Sequence, residues 1–320
     1  MKTVLITGAA GFLGSHLCDK MIKENYKVIG LDNFYSGSFD NIAHLKNNAN
    51  FHFIEDDVRN LCNIKIDEQI DYILNFACPA PPPKYQKDPV FTLDTCYKGA
   101  QNCLELCIER GAIVLQASTS EVYGDALIHP QKEDYWGHVN PIGARSCYDE
   151  GKRIAETLFF DYKRKHNLKI KVIRIFNTYG ARMSFDDGRV ISNFIVAALK
   201  DEPLTIYGGG KQTRSFCYAE DLIDGIYKML LSRDDFYGPV NLGAEFEFSV
   251  SQIAKKIIKL CNSKSEIIYK DLPEDDPKQR KPDLTLARQE LNYTPKITID
   301  EGLVKTIEFF KNNLKETPII

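Results

Sequence analysis

No apolar stretch in the 320 residues approaches the roughly 18 that a membrane-crossing helix needs, so no membrane partner is expected. An excess of charge of one sign is missing too. Lysine and arginine number 41 against 44 aspartates and glutamates, a net −3 that excludes a general nucleic-acid binder and leaves any anionic ligand to be met locally. The nine cysteines are odd in number, run from Cys18 to Cys261 and never form a Cys-x-x-Cys pair, which argues against a disulfide framework. Cys96, Cys103 and Cys107 share one helical face, but no histidine or carboxylate cluster joins them, so they read as core and no metal is expected. Met1-Lys2-Thr3 leads straight into the strand-like Val4-Leu5-Ile6 without a secretory pattern, and the expectation is a cytoplasmic chain with reduced thiols. What is present is ordinary globular composition: 43% hydrophobic and 27% charged residues suffice for a buried core under a solvated surface. The length favours two lobes over one.

Strand-like runs at Val4–Thr7, Lys27–Asp32, Phe51–Glu55, Asp71–Phe76, Ile113–Ala117 and Ile170–Phe176 alternate with segments long enough for helices. Gly11–Glu24, Pro89–Arg110 and Tyr148–His166 carry helical spacing, the second apolar on two faces, as a helix at a subunit contact would be. This alternation predicts an α/β chain with a doubly wound parallel sheet over residues 1–178. After Phe176 the rhythm changes to short strands at Leu204–Tyr207, Ser215–Tyr218 and Val240–Leu242, mixed with helices near Ser192–Lys200, Ala219–Leu231, Val250–Leu260 and Ile299–Leu314. Residues 179–320 therefore read as a smaller mixed α/β lobe, with a segment of about 212–243 packing back onto the first. The Gly208–Gly210 run and the charged Pro273–Pro282 stretch read as loops.

Thr7-Gly8-Ala9-Ala10-Gly11-Phe12-Leu13-Gly14 joins the first strand to the first helix, the setting of a dinucleotide fingerprint and hence of a Rossmann fold. Gly8 suits the tight turn, Gly11 a close backbone approach to pyrophosphate at the positive helix end, and Gly14 close helix–strand packing. Asp32 ends the second strand, where a carboxylate takes the adenosine ribose hydroxyls and repels a 2′-phosphate, so NAD is favoured over NADP. Asp57 and Val58, after the third strand, are candidates for the adenine side. Tyr148 and Lys152 stand one helical turn apart. A neighbouring ammonium and the cofactor's positive charge are expected to lower the phenol pKa and make Tyr148 a base for a substrate hydroxyl. Thr119, in the turn after the fifth strand, could hydrogen-bond that hydroxyl, with Glu121 adding a carboxylate beside it.

Together these elements resemble the extended short-chain dehydrogenase/reductase superfamily, which acts on nucleotide sugars. Within it, Thr119-Ser120-Glu121-Val122-Tyr123-Gly124, Glu133 through Gly143, and Cys147-Tyr148-Asp149-Glu150-Gly151-Lys152-Arg153 are similar to the UDP-glucuronate decarboxylase family, also called UDP-xylose synthases. The likeness continues through Arg174–Gly180, Asp187-Gly188-Arg189-Val190, Gln212-Thr213-Arg214 and Asp276–Asp283, and so covers nearly the whole chain. It implies oxidation of C4 of UDP-glucuronate by tightly bound NAD, loss of the C5 carboxylate as CO₂, and return of the hydride. It also implies Tyr148 as the base, Lys152 tuning it, Thr119 orienting the C4 hydroxyl, and Ser120 with Glu121 serving the carboxylate end or C5 reprotonation. Gly8, Gly11, Phe12, Leu13, Gly14, Asp32, Asn33, Ser36, Gly37, Asp57, Val58, Tyr148, Lys152 and Thr178 are then assigned to the cofactor. The UDP-sugar falls to Asn177, Arg189, Tyr207, Gln212, Arg214 and Arg280, whose arginines offer cationic forks for diphosphate or carboxylate. A homodimer through the buried helices is expected.

One stretch departs from that family: Thr92-Leu93-Asp94-Thr95-Cys96 stands where its members carry Thr-Leu-Lys-Thr-Asn, reversing a charge that could face an anionic substrate. Pro79-Ala80-Pro81-Pro82-Pro83-Lys84-Tyr85 matches better and reads as a stiff loop bordering the sugar. The competing readings are a 4-epimerase, which needs no acid at C5, a decarboxylase for another UDP-uronate, and a 4,6-dehydratase. Dehydratases use an Asp-Glu pair where this chain has Ser120-Glu121. A non-catalytic NAD(P)-sensing module could lose Tyr148, Lys152 and Thr119, all present here.

Overall fold

The computed structural model describes residues 1–271 and 279–314. The first half of the chain runs β1 (Thr3–Thr7), α1 (Phe12–Lys23), β2 (Lys27–Asp32), β3 (Phe51–Glu55), β4 (Tyr72–Asn75), α2 (Pro82–Lys87), α3 (Pro89–Arg110), β5 (Ile113–Thr119), α4 (Ser146–His166) and β6 (Ile170–Ile175). There follow β7 (Thr178–Tyr179), α5 (Val190–Leu199), β8 (Leu204–Tyr207), β9 (Thr213–Ser215), β10 (Cys217–Tyr218), α6 (Ala219–Leu230) and β11 (Val240–Leu242). The chain closes with β12 (Glu247–Ser249), α7 (Val250–Cys261), β13 (Ile267–Lys270), β14 (Gln279–Arg280), α8 (Thr285–Leu291) and α9 (Ile299–Leu314).

Seven strands form one sheet in the order β11-β6-β5-β4-β1-β2-β3, every neighbouring pair parallel. Strands covered on both faces must be apolar on both, and Val4, Leu5 and Ile6 of β1 are fully buried. One face packs under α1, α6 and α8 through Leu17, Met21, Leu222, Ile226 and Ala287. The other packs under α3 and α4 through Cys103, Leu104, Cys107, Ala155 and Phe159, so Cys103 and Cys107 are core residues. Strand order reverses between β1 and β4, and the crevice at their carboxyl ends is where such sheets hold ligands. A separate core joins α5, α7 and α9 with β8, through Phe194, Ile195, Ile206, Ile253, Ile257 and Phe310.

Some elements differ from the sequence-based expectation. Ser215–Tyr218 is two short strands split at Phe216, β9 pairing with β12 and β14 while β10 pairs with β7. The proline run is less of a loop than expected: Pro81 precedes α2, and Pro82 and Pro83 occupy its first turn, where no intrahelical N–H is needed. β13 pairs in parallel with β8, and its half-exposed residues carry little of the buried alternation that would announce a strand. Residues 273–278 of the charged stretch lie outside the described residues. No helix among the described residues is long and apolar enough to cross a membrane.

Candidate active site

A cavity of about 1170 Å³ runs from the β1 turn, past the ends of β4 and β5, to the lobe built on α5 and α7. At one end Gly8 adopts φ +72°, and its N–H donates to the Leu31 carbonyl at 2.8 Å. Gly14 follows one turn into the helix region, where a Cβ would run into the Gly8 carbonyl, so only glycine allows α1 to start so close to β1. Gly11 caps α1 with no side-chain hydrogen bond and no acidic residue follows in the first turn, leaving the positive helix end open to an anion. Asp32 stands across from it, its oxygens accepting from Ala10 N at 2.9 Å and Phe34 N at 2.8 Å. Burial pushes the Asp32 carboxyl up, and these backbone donors work against that shift. Asn33 donates to Asp57 at 2.8 Å; burial opposes ionisation of Asp57, but Arg59 overcomes it and holds the carboxyl low. Phe12, Leu13, Ser36, Gly37 and Val58 line the same end. The open helix end, the glycine cradle and the carboxylate fit a dinucleotide.

The middle of the cavity holds Thr119, Ser120, Glu121, Tyr148 and Lys152, all less than a tenth exposed. Thr119 ends β5 and its hydroxyl accepts from Glu121 N at 3.3 Å, turning the chain so that Ser120 and Glu121 enter the cleft. Lys152 donates to the Ala117 carbonyl at 3.0 Å, and its ammonium lies 5.7 Å from the centre of the Tyr148 ring. Tyr85 of α2 stacks on Tyr148 with ring centres 5.1 Å apart and planes 9° from parallel. The expected lowering of the Tyr148 phenol is not found in the protein alone. Burial raises it well above its ordinary value, neighbouring Cys78 and Glu121 add to this, and the Thr119 hydroxyl works in the opposite direction.

Glu121 meets two guanidinium groups. Arg280 binds both its oxygens, one at 2.8 Å, and Arg145 donates to it at 2.7 Å. Burial disfavours the Glu121 anion, yet Arg280 and Arg145 together hold its carboxyl below the usual range. Asp149, on the same turn of α4 as Tyr148, has no partner for its buried Oδ1, and burial and the Glu121 charge push its carboxyl up to about 7. Arg214 stands opposite Arg280 in register between β9 and β14. Arg189 binds Asp187 at 2.6 Å. Tyr207, at the rim and 46% exposed, accepts at its carbonyl from Gln212 at 2.6 Å. Asn177, Thr178, Arg189, Tyr207, Gln212, Arg214 and Arg280 all line the cavity.

Arg145, Tyr85 and Asp149 were not singled out from sequence. Arg145 lies three residues before Tyr148, a helical-turn spacing that could have raised it; Tyr85 lies 63 residues away and is brought in only by packing of α2 on α4. The departing Asp94 does not face the cavity: it pairs with Lys98 at 2.7 Å, four residues on along α3. Thr95 does line the cavity, and Cys96 lies behind it.

Residues 5–306 match the family model for GDP-mannose 4,6 dehydratase. The chain is 49% identical over 312 residues to UDP-glucuronic acid decarboxylase 5 of Arabidopsis thaliana, covering 97% of this chain and 90% of that one. It is 46% identical over 314 residues to UDP-glucuronic acid decarboxylase 1 of Xenopus tropicalis, covering 98% of this chain and 73% of that one. Among solved structures, UDP-glucuronic acid 4-epimerase from Bacillus cereus, in complex with UDP-glucuronic acid and NAD, superposes with a TM-score of 0.88 at 30% identity, covering 97% of this chain and 99% of that one.

Proposed function

The chain belongs to the UDP-glucuronic acid decarboxylases within the GDP-mannose 4,6 dehydratase family, and on that premise we propose how its cleft works. It is an NAD-dependent enzyme that decarboxylates UDP-glucuronate to UDP-xylose. The observation that carries this reading is the meeting of Thr119, Tyr148 and Lys152 with the Glu121–Arg145–Arg280 cluster in one cavity that begins at the glycine cradle.

When bound, NAD⁺ supplies a reversible hydride acceptor for C4 and a positive charge beside Tyr148. Tyr148 takes the proton of the C4 hydroxyl, with Thr119 orienting that hydroxyl and Lys152 holding the nicotinamide ribose. Once C4 is a ketone, the C5 carboxylate is β to it and leaves as CO₂, its electron pair delocalising into the ketone. Tyr148 and Thr119 then hydrogen-bond the enolate oxygen, donors already in place where charge develops. Two guanidinium charges against the one carboxylate of Glu121 make that end net positive, suited to the uronate group. Ser120 and Glu121 serve the carboxylate end or C5 reprotonation; because Glu121 is held ionised, it acts there by orienting a proton donated by water or hydroxyl. Once C5 carries that proton, the C4 ketone takes back its hydride and Tyr148 returns its proton to the C4 oxygen.

Residues 1–178, with about 212–243 returning to the sheet, form the cofactor half, and 179–320 the sugar half, in which Asn177 at the junction, Arg189, Tyr207, Gln212 and Arg214 take the UDP. Val90, Leu93, Tyr97 and Ile108 of α3, with Ile154 of α4, leave an exposed apolar face that pairs with a second copy as a homodimer. All nine cysteines are unpaired, which suits a reducing cytoplasm. Incubating the purified protein with UDP-glucuronate and NAD⁺ and following CO₂ and product mass tests the reaction. UDP-pentose with CO₂ supports it, whereas UDP-galacturonate without CO₂ would make the chain an epimerase.

A further inference from the structure

Cys96 belongs to the stretch that departs from the family, and the structure gives it a partner. Its Sγ lies 3.3 Å from Sγ of Cys78, which follows β4 and lines the cavity. Cys96 itself is 3% exposed and packs on α4 where Gly151 leaves room, its Sγ only 3.0 Å from where a Gly151 Cβ would sit. The two sulfurs are thus in contact, one facing the cleft and one behind it, against the turn that carries Tyr148 and Lys152. A disulfide would bring them from 3.3 Å to about 2.05 Å, a movement of little more than 1 Å.

We propose that Cys78 and Cys96 form an oxidisable dithiol, a modification site for peroxide whose closure to a disulfide reversibly shuts down the active-site cleft. In the first step the Cys78 thiolate attacks one peroxide oxygen, the O–O bond breaks, and the departing hydroxide takes a proton as water, leaving a Cys78 sulfenic acid. In the second, the Cys96 sulfur gives up its proton and attacks the Cys78 sulfur, the S–O bond breaks, and the leaving hydroxide takes that proton as a second water. The two sulfurs together lose two electrons and one hydrogen peroxide gains them; a dithiol reductant reverses the change.

The setting favours Cys78 as the attacking sulfur. Burial opposes its ionisation, but the Cys96 thiol donating to it and the Lys152 ammonium overcome this and bring it down to about 7. Elsewhere burial pushes Cys18, Cys103, Cys107 and Cys217 upward, so these thiols are poor competitors. Closure affects the chemistry by position. It draws the β4 loop toward α3, displaced by about 1 Å from where the sugar and nicotinamide must meet, and a misplacement of that size can cost about 10²-fold in rate.

The test treats the holoenzyme with hydrogen peroxide, alkylates the remaining thiols, and maps disulfides by peptide mass. This thiol map does not depend on the identity of the sugar substrate. The expected result is a cross-linked pair of peptides containing Cys78 and Cys96, with turnover reduced at least about tenfold and restored by dithiothreitol. Cys96→Ser should form no such cross-link and keep most of its turnover under the same exposure. Inactivated wild type in which both cysteines are still individually alkylated overturns the proposal, as does equal, dithiothreitol-reversible inactivation of Cys96→Ser. Should Cys96→Ser fold poorly, the wild-type peptide map alone decides.

Discussion

At the β1 end of the cleft the contacts come from backbone: a left-handed Gly8, an uncapped helix start at Gly11 and a helix pressed against a strand at Gly14. At the other end they come from side chains in ion pairs, Glu121 between Arg145 and Arg280, with Tyr85 stacked on Tyr148. The backbone end binds a group common to many reactions and meets its pyrophosphate with glycine and a helix dipole, adding the one carboxylate of Asp32 for the ribose. The side-chain end must tell one sugar carboxylate from other sugars and move protons, which requires charged groups held out of water by one another. Substitutions at the two ends should therefore fail differently: at the chemistry end binding survives without turnover, and at the glycine end binding itself fails.

Tyr148→Phe is the largest expected loss. Removing one hydroxyl deletes the base while Tyr85 still has a ring to stack on, so turnover should fall about 10²–10⁴-fold. NAD⁺ affinity, measured by calorimetric titration, should stay within about threefold of the parent, as a group acting only in the transition state allows. Near-normal CO₂ release from this variant would remove Tyr148 from the base role.

Gly14→Ala attacks the other end. The added methyl meets the Gly8 carbonyl, and neither backbone can move without separating α1 from β1. Overpacking of this kind typically costs about 1–3 kcal/mol, and here the displaced atoms are those that face the pyrophosphate. Expected are a lower melting temperature and at least about tenfold weaker NAD⁺ binding, equivalent to about 1.4 kcal/mol. Unchanged NAD⁺ affinity would show that the cofactor does not rest on this turn.

The same division explains what could be read before the structure. Gly8, Gly11 and Gly14 are local in sequence, and their spacing after an apolar strand dictates geometry, so the cofactor end and the alternation of strands and helices that makes a parallel sheet are legible. Glu121 and Arg280 stand 159 residues apart, and only resemblance to a family brought Arg280 to the site. Arg145 offers only its spacing of three from Tyr148, and Tyr85 only its place at the end of the proline run, neither of which by itself foretells the Glu121 pair or the stacking on Tyr148. For the Tyr148 phenol the distance to Lys152 is a poor guide in the protein alone, where burial, with Cys78 and Glu121 beside it, raises it well above its ordinary value despite an ammonium 5.7 Å from the ring centre; the cofactor's positive charge is the remaining part of the expectation. The short strands β12 and β14 bury too little to announce themselves.

A smaller effect at the chemistry end is readable as stability against pH. Asp149 has an ordinary carboxyl value of 3.8 and is raised to about 7 in the fold, chiefly by burial and secondly by the Glu121 charge. A carboxyl raised by folding binds its proton more tightly in the native state, so its contribution is fully present below about pH 4 and is lost as pH rises toward 7. Asp149→Asn removes that loss. At pH 8 its melting temperature should exceed that of the parent by about 1–2 °C, corresponding to on the order of 1 kcal/mol in a chain of this size, with the gap narrowing as pH falls toward 4. A gap that widens toward acid would mean that Arg145 and Arg280 dominate Asp149, and that the cluster is a paired network without a strained acid.

The smallest expected effect concerns Asp94, the residue whose sign differs from the family. If it met the sugar, replacing it by lysine would alter recognition of a dianionic nucleotide and a uronate together, and KM would move by orders of magnitude. The structure puts it instead on the outside of α3, paired with Lys98 at 2.7 Å while Thr95 faces the cavity. A pair of that kind, four apart on a helix and partly exposed, is worth about 0.3–0.5 kcal/mol, and turning it into two lysines costs a similar amount in repulsion. Asp94→Lys should therefore keep kcat/KM for UDP-glucuronate within about twofold, because the lost pair acts on folding stability and a residual effect on the transition state of more than about 0.4 kcal/mol has no contact to carry it. Adding salt should leave the ratio of variant to parent unchanged, because no charge on that face meets the substrate. A tenfold or larger change in KM would place Asp94 within reach of the sugar and make the departing stretch, rather than the Glu121–Arg145–Arg280 cluster, the part of the cleft that chooses the substrate.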